Sequence, residues 1–306
     1  MPAQGIPEAS PLLLKAAPAI FLLFWSSGFA AGKVGLEYTG PLTFLAVRYA
    51  LVLLILLPLV VVMRPPLPRT AAAWGHLAVV GFLIQGVYFA LGYVALATNI
   101  SSGAVALIVS LQPILVALAA PYTSRERVGG WAWIGLGLGL AGAALVILAR
   151  SAVESLPVIG VVAAVGALGG MTIGSLYEKR FGITQHPVTA NTVQYAAGLV
   201  ATLPLAFLLE DRSVEWSLPL GLSLLYLIVC NSLIALTLLL MMFRRGEVSR
   251  VSALFFLVPP MAALMGWLLL DEQMPPLAWV GLALAAAGVA LATRSAQLAV
   301  RLRREL

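Results

Sequence analysis

The sequence predicts an all-α membrane protein: ten transmembrane helices, arranged as two inverted five-helix repeats around a central cavity. Composition is the first observation behind this fold class. The 306 residues are 61% hydrophobic and 10% charged, with a mean hydropathy of +1.02, whereas soluble domains are about half apolar and a quarter charged. An internal repeat is the second. The segment AWIGLGLGLAGAAL at 132–145 recurs as AWVGLALAAAGVAL at 278–291, with nine of fourteen positions identical.

Ten apolar windows divide the chain between charged or Pro/Gly-rich breaks. A helix that crosses a bilayer needs about 20 mostly apolar residues, and continuously apolar runs of this length exclude the alternating strands of a membrane barrel. The windows lie near 15–36, 41–63, 73–96, 101–120, 129–148, 157–178, 189–209, 219–242, 250–270 and 277–294. The connections are short, so we expect no second, soluble domain.

The repeat keeps a constant offset of 146 residues. Identical residues pair at this offset throughout the chain: Lys33 with Lys179, Tyr49 with Tyr195, Pro113 with Pro259, and Trp133 with Trp279. A register kept over this length indicates duplication. It predicts a first repeat at 15–148, a second at 157–294 and a basic cytoplasmic tail at 295–306. Because each repeat has five helices, the second enters the bilayer from the opposite side, as in many secondary transporters.

The distribution of charge predicts the orientation. Fourteen Lys and Arg residues fall on the side of the N-terminus and three on the other. This bias predicts a multi-pass plasma (bacterial inner) membrane protein with both termini cytoplasmic. The net charge of +6 is thereby explained by orientation and by contact with membrane lipid. We expect no nucleic-acid partner.

Small residues in the repeated segment predict close helix packing. Gly135 and Gly139 are four residues apart, and Gly281 with Ala285 repeats the spacing. In lipid, small residues at this spacing let two helix backbones approach each other. The fifth helix then packs either on the tenth or on a second subunit, so we predict a monomer or a loose homodimer.

Several segments resemble a known family. They are FWSSGFAAGKVGL in the first helix, PLTFLAVRYALVLL in the second, SSGAVALIVSLQPILVAL before RERVGGWAWIGLGLGLAG, and SRVSALFFLVPPMAALMGWLLLDEQMPPLAWVGLALAAAG near the C-terminus. With them the chain resembles the drug/metabolite transporter superfamily in its EamA-type ten-helix branch, and it is most similar to aromatic amino-acid exporters of the YddG type. The resemblance implies two inverted halves around a central cavity and the transport, often the export, of small metabolites.

Polar groups at mid-bilayer depth are the first candidates for a binding site, because burying them in lipid is costly. Gln85 and Asn231 lie at the middle of helices 3 and 8 and are equivalent at the 146 offset. We predict that they face one cavity, the alternative being hydrogen bonds between helices only. The full predicted substrate-binding set is Trp25, Ser26, Gln85, Tyr88, Phe89, Ser110, Asn231 and Phe256.

Arg48 is the charge furthest inside a predicted span. An arginine at the centre of a membrane helix costs about 2.5–3.5 kcal/mol on insertion scales. Two interpretations stay open: the side chain snorkels to the membrane surface, or it anchors a substrate carboxylate with its planar fork of donors. Tyr49 beside it is expected in an interfacial belt of aromatic residues.

Interior prolines mark helices 4 and 9. Pro113 and Pro259 each free a backbone carbonyl and bend the helix. We expect hinges or kinks beside the cavity, or kinks that only shape the bundle.

Residue types that are absent from the predicted spans exclude several classes of function. Their interiors hold no Asp or Glu, unlike the cationic-drug antiporters of the superfamily, and one buried arginine is too few for sugar phosphates. No catalytic set, metal-ligand cluster or cofactor motif is present, so we expect no enzyme, no metal and no cofactor. The predicted function is alternating-access export of a neutral or zwitterionic small-molecule substrate, first (aromatic) amino acids, without proton coupling; His76 is the nearest titratable alternative. The alternative hypotheses are a broad-specificity drug/metabolite efflux carrier and a non-transporting sensor or assembly subunit.

Overall fold

The computed structural model describes residues 11–98, 105, 108–123, 128–150, 157–182, 185–245, 251–270 and 275–304. Helices account for nearly all of these residues, and the only bridge between extended segments there joins Thr39 to Val214. The helices are α1 (Pro11–Leu36), α2 (Pro41–Met63), α3 (Ala71–Ala97), α4 (Gln112–Thr123), α5 (Gly130–Arg150), α6 (Val158–Phe181), α7 (Pro187–Leu209), α8 (218–245), α9 (Val258–Leu270) and α10 (Pro276–Arg304). The last of them runs through most of the predicted tail.

Six helices in the described part of the chain are long and apolar enough to cross a membrane: α1, α2, α3, α6, α7 and α8. Shorter apolar helices lie at Gly130–Val146, Ala253–Ala262 and Pro276–Ala292. The protein is therefore a multi-pass membrane protein, and the elements follow the order of the predicted windows.

Equivalent helices of the two repeats begin with the same local chemistry. Pro41 and Pro187 occupy the first turns of α2 and α7, where a missing N–H is harmless. Thr70 caps α3 by accepting a hydrogen bond from the Ala73 N–H (3.2 Å), and Ser217 caps α8 in the same way. These caps satisfy N–H groups that a helix start leaves without a partner.

Two π-helical segments interrupt α3 and α8 at equivalent positions. They span Phe82–Phe89 and Leu227–Ala235, which coincide to within one residue at the 146 offset. π-Helical segments are rare and concentrate at functional sites. Each contains one of the two mid-depth amides, Gln85 or Asn231, so the irregular backbone marks the centre of each repeat.

Contacts between the repeats follow the same equivalence. Helix α1 packs on α8 and α9, and its counterpart α6 packs on α3 and α4. Helices α2 and α7, and likewise α5 and α10, pack directly on their own counterparts. Exchanging the two repeats therefore leaves this pattern of contacts unchanged.

Glycines bring α5 and α10 into backbone contact. A Cβ at Gly135 would lie 2.5 Å from the Ala292 nitrogen, and one at Gly288 would overlap the Gly139 backbone. Further along, a Cβ at Gly142 would overlap the Ala285 backbone. Residue numbers rise along α5 as they fall along α10, so the two helices are antiparallel. Of the two packing alternatives predicted for the repeated segment, the structure contains the one within a single chain.

Helices α2 and α7 are also antiparallel and are joined at both ends. At one end the Glu210 carboxylate accepts hydrogen bonds from the Leu42 and Thr43 N–H groups (both 2.8 Å) and from the Thr43 hydroxyl (2.6 Å). A carboxylate is favourable there because a helix N-terminus carries partial positive charge. At the other end the Pro66 carbonyl accepts hydrogen bonds from Thr189 and Gln185.

We predict that Gly142→Ala destabilises the protein and Gly137→Ala does not. The added methyl group at 142 would overlap the backbone of α10, whereas nothing lies within 4 Å of a Cβ at 137 on the same helix. Overpacking of this kind costs about 1–3 kcal/mol. Thermal unfolding in detergent should show a lower Tm for Gly142→Ala alone; an equal Tm for both variants would contradict the glycine contact.

Candidate substrate site

A cavity lies between α1, α3, α8 and the segment that precedes α4. It extends from the middle of these helices toward the end of α3 at Ala97. Its walls are mostly aromatic and aliphatic, with one amide. They comprise Trp25, Gly28, Phe29, Tyr88, Phe89, Gly92, Tyr93, Leu96, Val105, Val109 and Asn231. This lining is typical of a small-molecule site with a few oriented polar groups.

A smaller cavity adjoins the first and shares Trp25, Phe29, Tyr88 and Val109 with it. Ser110 supplies its hydroxyl, and Phe255, Val258 and Pro259 supply the wall from the second repeat. The two cavities therefore form one region at the contact between the repeats.

Aromatic rings form a continuous wall around Trp25. The Tyr88 ring lies nearly parallel to it with centroids 6.1 Å apart, and the Phe89 ring is tilted at 5.6 Å. Phe255 meets Trp25 edge-on at 5.9 Å. Such offset and edge-to-face pairs are favourable and rigid, so the wall is preorganised for a flat apolar group.

Arg48 lies directly behind this wall. Its Nη2 donates a hydrogen bond to Asn231 Oδ1 (2.7 Å) and its Nε donates one to Ser232 Oγ (2.9 Å). The guanidinium carbon is 5.2 Å from the centre of the Phe89 ring, which is within cation–π range. Because Phe89 and Asn231 line the cavity, the charge is separated from it by single side chains.

Arg48 is fully buried, with 0% of its surface exposed. Snorkelling to the membrane surface is therefore wrong as an account of this residue, because α8 supplies its hydrogen-bond partners inside the bundle. No carboxylate of the described residues forms an ion pair with it, and its Nη1 has no hydrogen-bond partner there. A buried charge without a counterion is costly, and a donor remains available.

Tyr49 is also fully buried, so its predicted place in an interfacial belt is wrong. Its hydroxyl donates to the Gln85 carbonyl (3.0 Å), and its ring lies 5.5 Å from that of its counterpart Tyr195. The Tyr195 hydroxyl is buried and has no hydrogen-bond partner among the described residues. These contacts hold α2, α7 and the π segment of α3 together around Arg48.

Glycines on α1 give the polar groups their positions. A Cβ at Gly28 would lie 2.5 Å from Asn231 Nδ2, and one at Gly32 would lie 2.6 Å from the Tyr93 hydroxyl. Both glycines lie on the same face of α1 as Trp25, because the three positions are spaced three and four residues apart. Tyr93, Phe29 and these two glycines are absent from the predicted set, although the helical faces of Trp25 and Phe89 predict them.

Three predicted site residues lie away from the cavity surface. Gln85 is fully buried and faces α7, where a Cβ at Gly198 would overlap its side chain; both of its amide atoms lack hydrogen-bond partners. Ser26 is 1% exposed with its hydroxyl likewise without a partner. Phe256 packs against Gly139 on α5 instead.

Phe255 takes the position predicted for Phe256. The segment Ala253–Leu257 is a 3-10 helix, whose tighter turn rotates successive side chains differently from an α-helix. A prediction based on α-helical faces therefore selected the neighbouring phenylalanine. The other five predicted residues, Trp25, Tyr88, Phe89, Ser110 and Asn231, line the two cavities.

Pro113 and Pro259 lie at equivalent breaks. The chain turns at 110–111 before α4 begins at Gln112, and the 3-10 segment precedes α9, which begins at Val258. Each proline is the second residue of its helix, where the absent N–H is tolerated. Discontinuous helices thus meet the smaller cavity from both repeats.

Acidic and metal-binding groups play little part around the cavities. In the part of the chain that the structure describes, no three His, Cys, Asp or Glu side chains cluster in a way that could hold a metal ion. Glu178, near the end of α6, is 1% exposed, which its terminal position did not predict. His76 contacts the Tyr177 hydroxyl through Nδ1 (2.8 Å) and stacks on Phe181, away from the cavities.

Comparison with known proteins assigns the family. The sequence is 27% identical to the uncharacterized transporter YvbV of Bacillus subtilis (89% of both chains), 26% to the uncharacterized transporter sll0355 of Synechocystis (91% of this chain, 89% of that one) and 24% to the uncharacterized inner membrane transporter YedA of Escherichia coli K12 (90% and 89%). Among solved structures with a similar fold, one crystal structure superposes with a TM-score of 0.77 at 18% identity over 93% of this chain and 98% of the other. The sequence model of the EamA-like transporter family matches residues 16–148 and 158–294, and the chain belongs to that family of membrane transporters.

Proposed function

We propose that this transporter exports small neutral or zwitterionic metabolites by alternating access, with (aromatic) amino acids as the favoured substrates. The observation that carries the proposal is the position of Arg48. A buried guanidinium with a free donor lies one side chain behind an aromatic cavity. A zwitterion with an aromatic side chain offers the two groups that this arrangement lacks, a carboxylate and a flat apolar ring.

The electrostatics favour a carboxylate over a cation. In a low-dielectric interior the charge on Arg48 repels cations and attracts anions more strongly than it does in water. Asn231 is held by Arg48 and borders the cavity, so its amide transmits the guanidinium's polarity to a ligand. A zwitterion carries a full positive and a full negative charge, so entering an apolar site is costly unless both charges obtain partners, and Arg48 with Asn231 would serve the carboxylate.

The aromatic wall favours a flat side chain. Trp25, Tyr88 and Phe89 present faces and edges to one space, and a ligand ring gains from both kinds of contact. The similarity to YddG-type exporters points to the same substrates, although the relatives above are named as transporters without a substrate.

The transport mechanism that we propose uses ten membrane crossings in two inverted repeats, with both termini cytoplasmic in the plasma (bacterial inner) membrane. Antiparallel packing of α5 on α10 and of α2 on α7 supports inversion, since each pair consists of equivalent helices. In this orientation the cavity extends toward the outer surface. The site is complete within one chain, so a monomer or a loose homodimer suffices.

A broad-specificity efflux carrier is the second candidate. The mostly apolar lining of the larger cavity favours this candidate, because an apolar pocket rejects related ligands weakly. The role of Arg48 separates the two candidates, since efflux of varied apolar compounds does not require a carboxylate anchor.

Arg48→Gln should abolish the preference for carboxylate substrates. The buried charge acts on the substrate through Asn231 and Phe89, and its loss should cost about as much as a charge-assisted hydrogen bond, about 1.5–3 kcal/mol. Flux of L-phenylalanine into proteoliposomes should therefore fall roughly tenfold to a hundredfold. Flux of phenylalaninamide, which has no carboxylate, should not fall in parallel.

Two further variants control this experiment. Arg69→Gln removes the same charge from an exposed site and should transport normally. Arg48→Lys keeps the charge but cannot hold Asn231 and Ser232 together, because a lysine ammonium lacks the planar fork; it should retain folding and part of the flux. Equal losses for both substrates in Arg48→Gln would favour the broad-specificity carrier or a structural role.

Asn231→Ala should reduce transport while Asn191→Ala does not. Both asparagines are 4% exposed. Asn231 borders the cavity and orients Arg48, whereas Asn191 donates to the Thr237 hydroxyl (2.6 Å) between α7 and α8. Flux per folded molecule, with folding monitored by size-exclusion chromatography, measures the difference. Normal flux in Asn231→Ala would reduce its contact with Arg48 to a structural hydrogen bond.

Transport should follow the substrate gradient alone. The described cavity walls contain no carboxylate or histidine that could exchange a proton during the cycle. In proteoliposomes a pH difference or membrane potential should not drive accumulation of a zwitterion. Uphill accumulation under a pH difference, lost on adding a protonophore, would contradict this and direct attention to Glu178 and His76.

A further inference from the structure

Three glutamines at the centre of the bundle hold buried polar atoms without hydrogen-bond partners. They are both amide atoms of Gln85 on α3, Oε1 of Gln112 on α4 and Nε2 of Gln194 on α7. Each side chain is at most 1% exposed. A buried polar group without a partner costs about 1–3 kcal/mol, so three on neighbouring helices require an explanation.

The repeat relates each of these glutamines to a residue at the observed cavities. The offset of 146 places Gln85 on Asn231, Gln194 on Arg48 and Gln112 on Val258. Arg48 and Asn231 are hydrogen-bonded to each other, and Asn231 and Val258 line the cavities. The glutamines thus occupy, in the opposite repeat, the positions that form and support the present binding surface.

We propose that a second substrate site, closed in this structure, is built around Gln85, Gln112 and Ser175 and opens to the cytoplasm when the two repeats exchange conformations. The inference rests on the alternating access proposed above. Ser175 is the counterpart of Phe29, which lines both observed cavities. Its hydroxyl already accepts a hydrogen bond from Gln112 Nε2 (3.3 Å).

The residues that would line this site are inaccessible in this structure. Four of them have no exposed surface at all: Met171, Ser175, Ala235 and Leu239, the counterparts of Trp25, Phe29, Phe89 and Tyr93. Helices α3 and α6 close over them, since a Cβ at Gly170 would lie 2.9 Å from the Tyr88 backbone nitrogen. The counterparts of the four residues line the open cavity instead. One repeat is thus closed where the other is open.

The chemistry of the second site differs from that of the first. Its walls replace three aromatic rings by Met171, Ala235 and Leu239, and its polar groups are two amides and a hydroxyl. The counterpart of Arg48 is the neutral Gln194. The second site would therefore bind the ammonium and carboxylate of a zwitterion by hydrogen bonds alone, with less discrimination between side chains. In the conformation open to the cytoplasm, the amides of Gln85 and Gln194 would gain hydrogen-bond partners, as Asn231 and Arg48 have in this structure.

Cysteine accessibility tests the second site without any transported substrate. Phe29→Cys and Ser175→Cys are each placed in a Cys230→Ser background, and vesicles of known orientation are treated from one side with a membrane-impermeant maleimide. We expect Phe29→Cys to react from the outer side and Ser175→Cys from the cytoplasmic side. Ala235→Cys, on another helix, is a second reporter should Ser175→Cys fold poorly, and it should behave as Ser175→Cys does.

Ile173→Cys is the matched control, because Ile173 is two residues from Ser175 and 55% exposed on the outer face of α6. Facing lipid, it should react from neither side. Failure of both Ser175→Cys and Ala235→Cys to react from the cytoplasm, or equal reaction of Ile173→Cys, would overturn the second site. Cytoplasmic reaction at Ser175→Cys without amino-acid flux would leave the site standing and refute only the proposed substrate.

Discussion

Backbone contact between α5 and α10 is the constraint on which the arrangement of the other helices depends. Apolar helices gain nothing from the hydrophobic effect when they associate in lipid, so close packing must hold them together. Gly135, Gly142 and Gly288 provide it by leaving no side chain between the two backbones. Helices α2 and α7 are likewise joined at both ends, through Glu210 and Pro66. The two pairs, α5 with α10 and α2 with α7, together form the frame of the bundle. The helices with π or 3-10 segments and breaks are those that surround the cavities.

Within that frame, Arg48 connects stability to function. Removing a guanidinium from water is expensive, and hydrogen bonds with Asn231 and Ser232 offset only part of that expense. An apolar residue of similar volume would be at least as stable there, so its presence is better explained by a ligand than by folding. Its counterpart Gln194 indicates that the fold does not require a charge at this position. A bound carboxylate would supply the counterion that the described residues lack.

The sequence predicted the elements, their order and the repeat, because hydropathy and a constant offset are properties of the chain alone. It also predicted five residues of the cavity walls from depth and helical face. It failed where the backbone leaves α-helical geometry. In the 3-10 segment Phe255 lines the cavity where Phe256 was predicted, and in the π segment of α3 the side chain of Gln85 faces α7. For Arg48 it left snorkelling and a carboxylate anchor open, because the two differ in whether α8 offers partners inside the bundle, and such contacts between distant segments are not visible in local patterns.

Divergence between the repeats has a further consequence. Residues of the frame agree at the 146 offset, as Gly135 with Gly281 and Pro41 with Pro187 do, whereas cavity positions differ, as Trp25 from Met171 and Arg48 from Gln194 do. A ligand would meet a cation and aromatic rings on one side and neutral amides on the other. A carrier that binds the same substrate in both states cannot shift its equilibrium distribution through such differences, because affinity acts only on the populations of the carrier's own states. The asymmetry would instead set the concentration at which each side saturates.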